Sequence, residues 1–170
     1  MAFEQTFKNI DNTLRTDEGC GSELDYTEQS SWILFLKYLD DLEKAREMDA
    51  LLSGKEYTSV IDNEYRWSTW AMPKNASGEY DVQNALVGAD LIEFVNLKLF
   101  PYLAKFKENY EMNTLESKIG VIFSEIRNKI QSGYNLREII EQVDELQFQT
   151  SEQKHEMTVQ IGRASCRERV

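Results

Sequence analysis

Three groups of residues are of the types that catalysis uses: the turn Gly19-Cys20-Gly21, the carboxylates Asp40, Asp41 and Glu43, and His155, the only histidine in the chain. A nucleotide-like cofactor needs a glycine turn between a strand and a helix, where backbone amides can approach it closely. Leu24 stands where the third glycine of such a turn would fall, and no strand pattern precedes it, so Gly19 to Gly21 reads as a plain loop. The three carboxylates fall on the polar face of a helical pattern beside Lys44, which predicts a solvated face with charge pairs four residues apart, not an acid–base dyad. His155 is the only histidine available as a base and reads as an exposed helix residue. Cys20 and Cys166 form neither a C-x-x-C pair nor a metal-ligand spacing, so both are expected as free thiols. The sequence therefore offers no catalytic, cofactor-binding or metal-binding residues.

Two stretches have the character of binding surfaces. Glu64-Tyr65-Arg66-Trp67-Ser68-Thr69-Trp70 puts aromatics beside an arginine, a combination that stacks on nucleobases. With few lysines around it, the simpler reading is that the tryptophans pin a long loop to helices. Arg127, Lys129 and, just beyond, Arg137 make the best local basic patch and are the candidate DNA or partner contacts, although a helix C-terminus also attracts cations through its dipole. The whole chain carries 19 basic and 30 acidic residues, a net charge of −11. A surface this acidic repels phosphate backbones unless its bases gather on one face, so the domain alone should bind DNA poorly. Asn75-Ala76-Ser77 fits a glycosylation acceptor but reads as a surface loop. The N-terminus has no apolar leader and the strongly apolar run Trp32 to Leu36 is far short of a membrane span, which predicts a cytosolic protein.

The elements that position these residues follow from hydrophobic periodicity. With 41% hydrophobic residues in 170, the chain is long enough for one domain with a substantial core. Phe3, Phe7, Ile10 and Leu14 predict a helix over about 2–15. Trp32, Phe35, Leu36, Leu39 and Leu42 predict one over about 26–52, with Asp40, Lys44 and Glu47 outside and Gly54 as its C-cap. Residues 55–88 read as an irregular, aromatic-anchored connection with a short helix near Val60 to Tyr65. A third helix over about 90–108 is apolar nearly all round and should be the central one, kinked at Pro101. A fourth covers about 114–131 through Leu115, Ile119, Ile122, Phe123, Ile126 and Ile130, and a fifth about 136–148 through Leu136, Ile139, Ile140, Val143 and Leu146. A sixth starts after Thr150. Starts at Asp25-x-x-Glu28, Asp90-x-x-Glu93, Asn113-x-x-Glu116, Asn135-x-x-Glu138 and Thr150-x-x-Gln153 resemble capping boxes. The expected fold is all-α: a compact bundle of about five helices plus the start of a sixth.

The segments GCGSELDYTEQSSWILFLKYLDDLE, EYRWSTW, VNLKLFPYLAKF, IGVIFSEIRNKIQSGYNLREII and KHEM, in that order, resemble the N-terminal helical domain of the modification (methyltransferase) subunit of type I restriction-modification systems. The resemblance covers nearly all of residues 1–157. It implies a helical domain at 1–149, and at 150–160 the start of a connection to a catalytic domain that binds S-adenosylmethionine and methylates the exocyclic amine of adenine. The family's Asn-Pro-Pro-Phe/Tyr catalytic signature has no counterpart here; only Met72-Pro73 and Phe100-Pro101 contain proline. The resemblance implies as partners a specificity subunit, a second modification subunit, a restriction subunit and, in the assembled complex, double-stranded DNA. It implies for this domain a part in assembling and closing a clamp on that DNA. The competing reading is a free-standing, small, acidic helical interaction module. Residues 161–170, IGRASCRERV, are the translation of a common sequencing-adapter DNA and are expected to be a scar without function. Without these ten residues the chain has 16 basic and 29 acidic side chains, a net charge of −13.

Overall fold

The structure is a computed structural model and describes residues 2–146. The expected sixth helix, His155, the connection at 150–160 and the reading of 161–170 lie outside the described residues. Helix α1, Ala2–Arg15, buries Phe3, Ile10 and Leu14 along one stripe, as their spacing of seven and four requires. Helix α2, Glu23–Leu52, begins three residues before the expected start. Ser22 is the cap: its Oγ accepts the amide of Asp25 at 3.2 Å, and Asp25 reaches back to accept the amide of Gly21 at 2.9 Å. Asp25 is thus the returning arm of the capping pair, not its cap. At the other end Gly54 adopts a φ of 67°, and the amides of Gly54 and Lys55 donate to the carbonyls of Leu51 and Ala50. That is the double closure a left-handed glycine permits.

Helix α2 is the central element, in place of the third predicted helix. Every residue from Glu28 to Lys37 is buried, polar ones included; α1, α3 and α8 pack on α2, and within this stretch Gln29 bonds the backbone at 127 and 129, Trp32 meets Phe100 and Phe35 meets Phe123. Trp32 is fully enclosed and meets the edge of Phe100 at 4.9 Å. Truncating such a side chain to alanine costs about 3–5 kcal/mol. The connection that follows contains a 3-10 turn, Asn63–Tyr65, and a single-turn helix α3, Trp67–Trp70, and is otherwise irregular. Its aromatics hold it down: Trp67 and Trp70 are buried, and Tyr65 stacks on Tyr102 at 3.9 Å. Asn75 sits in an exposed turn, where its Oδ1 accepts the amides of Ser77 and Glu79.

The predicted third helix is real but divided. Helix α4, Gly88–Phe94, runs through a π-helical turn, Val95–Leu99, into α5, Phe100–Ala104, and is followed by α6, Phe106–Asn109. The irregularity expected at Pro101 takes the form of this π turn. The Phe100 amide bonds the Val95 carbonyl, widening the turn just ahead of the proline ring, which lacks a donor and crowds the carbonyl four residues back. The break comes instead after α5, at Lys105. Leu91, Val95, Leu99 and Leu103 remain fully buried through the widened turn.

Helix α7, Leu115–Glu125, is capped by Thr114, whose Oγ1 accepts the amide of Ser117. Asn113, the expected cap, precedes it with a φ of 71°. The helix stops at Glu125, six residues before the expected end, and 126–132 forms an extended strap. Helix α8, Gly133–Asp144, starts three residues early because Ser132, whose Oγ accepts the Asn135 amide, is its cap. The domain is all-α: among the described residues there is no strand, only an isolated bridge between Lys74 and Tyr80.

Candidate functional site

Residues 126–132 leave the helical pattern because other side chains satisfy their backbone, those of the N-terminal third of the chain for the most part and, at Ile130, that of Asn128. Gln29, fully buried on α2, works as a two-sided clip. Its Nε2 donates to the carbonyl of Arg127 at 2.9 Å, and its Oε1 accepts the amide of Lys129 at 3.0 Å and the indole of Trp32 at 2.8 Å. Asp17, in the α1–α2 loop, does the same with charge. Its carboxylate accepts the amides of Gln131 and Ser132 at 2.9 and 3.0 Å, the Asn135 side chain at 3.1 Å and the amide of Gly19 at 2.9 Å. Burial pushes the Asp17 carboxyl up, but those hydrogen bonds outweigh it and hold it below the ordinary carboxylate range. Gly19 is required by proximity: a Cβ there would fall inside the carbonyl of Lys129.

The glycine turn weighed as a cofactor cradle is therefore filled by the protein's own strap. Cys20 is buried beside it, and burial together with the charges of Asp17 and Asp25 pushes its thiol up to about 11. It is a free cysteine.

The three candidate contact residues are not brought together. Arg127 is exposed, with no ion pair or side-chain hydrogen bond among the described residues. Lys129 is half-exposed and committed to Asp25 at 2.7 Å and Glu28 at 3.7 Å. The hydrogen bond it donates to Asp25 raises its pKa. Arg137 is buried: its guanidinium donates to the carbonyls of Ala71 and, at 2.8 Å, Leu86, and lies 5.5 Å from the centre of the Tyr80 ring. Burial lowers its pKa. Arg137 thus ties the middle and the far end of the irregular connection to α8 and faces neither solvent nor the other two bases.

The carboxylate cluster also differs from the solvated face that its pattern predicts. Asp40 and Glu43 are each about 3% exposed, because the connection lies over this face of α2. Asp40 keeps the predicted pair with Lys44 at 2.8 Å, and also takes the Ser68 hydroxyl at 3.0 Å and Arg66 at 3.4 Å. Glu43 accepts the Val60 amide and the Tyr57 hydroxyl, and Glu47 takes Arg66 at 2.6 Å. Burial pulls Arg66 down, but the Glu47 bond and the charges of Asp40 and Glu43 outweigh it and raise its pKa. The arginine flanked by aromatics is therefore the inward anchor of the loop. Among the described residues no group of His, Cys, Asp and Glu is placed to hold a metal ion.

One open feature is missed by sequence reasoning. Between the π turn and α5 on one side and the end of α7 and the strap on the other lies a groove of about 530 Å³. Phe100, Pro101, Phe123 and Ile126 form its floor, with Arg127 on its wall. Asn128 spans it, its side-chain Nδ2 donating to the Asn96 Oδ1 at 2.9 Å. No sequence signal marks it, since it exists only because α7 ends at Glu125.

A helical module clipped by its own polar side chains, with an apolar groove beside the strap, is the class of domain that the fold defines. The model of the HsdM N-terminal domain matches residues 3–159, and the chain belongs to that family, the N-terminal domain of type I restriction-modification modification subunits. It is 29% identical over 155 residues to the type I restriction enzyme EcoEI methylase subunit of Escherichia coli, covering 91% of this chain and 29% of that protein. It is similar in structure to a modification subunit assigned to a type I restriction enzyme of Vibrio vulnificus YJ016. That match has a TM-score of 0.79 and 27% identity, over 99% of this chain and 35% of the other. A chain solved in work on complex assembly and conformational transition of the type I R-M system matches with a TM-score of 0.65 and 28% identity, over 95% of this chain and 29% of that one. The chain thus spans about a third of the length of these relatives.

Proposed function

We propose that this domain is the assembly and DNA-clamp module of a modification subunit, whose longer form transfers a methyl group from S-adenosylmethionine to the exocyclic amine of adenine. The observation that carries the reading is the family match over residues 3–159, together with a fold whose polar side chains are spent on holding its own backbone. On this reading the cofactor and the flipped base are held by the part of the relatives that this chain does not span. A specificity subunit chooses the site, and a second modification subunit and a restriction subunit complete the system. The setting is the cytoplasm; among the described residues no helix is long and apolar enough to cross a membrane.

Arg127, exposed and without an ion pair among the described residues, and Lys129, exposed though paired with Asp25 and Glu28, are the candidate contacts to DNA or a partner subunit in the assembled complex. Arg137 is left out of that set, since its guanidinium is occupied inside the domain. Two measurements test the reading. Calorimetry of the 170-residue chain with S-adenosylmethionine should give no binding heat, while a full-length modification subunit carrying this domain binds it; micromolar binding by the 170-residue chain refutes the division of labour. Arg127→Ala with Lys129→Ala in that full-length subunit, assembled with its specificity subunit, should weaken duplex binding or complex formation. If neither changes, those two bases are not contacts.

A further inference from the structure

The groove beside the strap carries more than the assembly reading assigns to it. Charge is distributed unevenly along this acidic chain: residues 1–93 hold 8 basic and 19 acidic side chains, whereas 94–132, the segment that builds the groove, hold 6 basic and 4 acidic. Lys129 is neutralised by Asp25 and Glu28, but Lys98, Lys105, Lys107, Lys118 and Arg127 make no ion pair among the described residues. No carboxylate lines the groove. Its lining holds two unspent donors, the Arg127 guanidinium and the side-chain nitrogen of Asn96, whose Oδ1 is already taken by Asn128, while Ser124 spends its hydroxyl proton on the Gly120 carbonyl.

The floor decides what kind of acceptor fits. Phe100 and Phe123 are 8% and 3% exposed and pack edge-to-face at 5.0 Å, so neither offers a ring face for a nucleobase to stack on. Duplex DNA brings phosphates along a hydrated backbone and gains nothing from an apolar trough. A polypeptide with an apolar side chain between carboxylates satisfies both parts, the side chain on the Phe100–Ile126 floor and a carboxylate on Arg127 and Asn96. The volume falls within the range of about 300–1,000 Å³ typical of ligand sites.

We propose that this groove docks an acidic segment of a partner protein through one large apolar side chain, with Arg127 and Asn96 receiving an adjacent carboxylate. The proposal rests on the reading of the domain as an assembly module, but its test uses neither cofactor nor DNA binding by the complex, so either can fail without the other.

The test is selection of random twelve-residue peptides displayed on phage against the immobilised 170-residue chain, followed by fluorescence anisotropy with the enriched peptide. The expected winners place Asp or Glu on both sides of a Leu, Met or Phe. Replacing that apolar residue by alanine should weaken binding about tenfold or more, as loss of a central anchor does. Arg127→Glu and the groove-filling Ala104→Trp should do the same while leaving the urea midpoint of the domain in place; Lys8→Glu, on α1, should have no effect. Asn96→Ala gives a second, milder variant should Ala104→Trp disturb folding. Enrichment of basic peptides, no enrichment, or indifference to both Arg127→Glu and Asn96→Ala overturns the proposal. Displacement of the peptide by a short duplex with the same sensitivity to Arg127→Glu overturns it too, in favour of a nucleic-acid surface. So does a metabolite that fills the groove and excludes the peptide at physiological concentration.

Discussion

Replacing Asp17 by asparagine should destabilise the domain by about 3 kcal/mol at pH 7, and the size follows from counting acceptors. The carboxylate receives four hydrogen bonds, from the amides of Gly19, Gln131 and Ser132 and the side chain of Asn135. Asparagine keeps one acceptor oxygen and turns the other position into a donor, so either orientation leaves two donors facing a third. Hydrogen bonds to a charged group contribute roughly 1.5–3 kcal/mol each and those to a neutral one about 0.5–1.5 kcal/mol. Two bonds are lost and two weakened; exposure of Gln131 lets water replace part of the loss, which brings the sum down to ~3 kcal/mol. Urea unfolding followed by tryptophan fluorescence measures it. The pH dependence supplies an independent check. The folded-state pKa of Asp17 lies below its ordinary value of 3.8, so its charge-linked stability is fully present above that value and is lost as pH falls through the depressed folded pKa. The gap between wild type and Asp17→Asn should therefore narrow in strong acid. A gap under about 1 kcal/mol at pH 7, or one that does not change between pH 6 and pH 2, would refute the argument.

Other perturbations test neighbouring parts. Gly19→Ala should cost about 3 kcal/mol or more because its Cβ meets the Lys129 carbonyl, while Gly21→Ala, with open space around it, should stay within about 0.5 kcal/mol in the same urea assay. Arg66→Met leaves Asp40 and Glu43 buried without their shared cation and should cost ~3 kcal/mol; Lys44→Met, removing the solvent-exposed partner of Asp40, should cost under about 1 kcal/mol. In a Cys166→Ser background, Cys20, with its pKa pushed up to about 11, should react with iodoacetamide at pH 8 only as fast as the domain unfolds. Rapid alkylation of the native chain would contradict the burial of that thiol.

The helices were readable because their apolar residues recur at three and four, and that is also why the strap was misread. Ile126 and Ile130 are four apart, a spacing shared by a helix face and by one side of an extended chain, where Asn128 falls between them. Periodicity cannot separate the two. What distinguishes them is Gln29, a glutamine inside an otherwise buried helix, whose partners lie about 100 residues away and leave no local trace. The cap positions erred for a related reason: Asp25 and Asn135 are the third residues of capping turns, and their types suit a first residue equally well. The burial of Asp40 and Glu43 depends on where an irregular loop settles, and the same holds for Arg137. The inward role of the tryptophans, by contrast, followed from size and from the acidic setting, and Trp67 and Trp70 lie where that argument put them.

The clips formed by Asp17 and Gln29 impose an order on synthesis. Their partners are separated from them by 98 to 118 positions, so the finished α1 and the first half of α2 leave the ribosome with a buried carboxylate and a buried amide still lacking their counterparts. At about 5–20 residues per second the strap arrives many seconds later. Until then Phe100 and Phe123 are also absent, Trp32 has no cover, and the nascent chain presents apolar surface that a chaperone or premature self-association would compete for. Closure of the strap gives Asp17 and Gln29 their backbone counterparts, and after residues 126–132 are seated only α8, among the described elements, remains to dock on α1, α2 and α4.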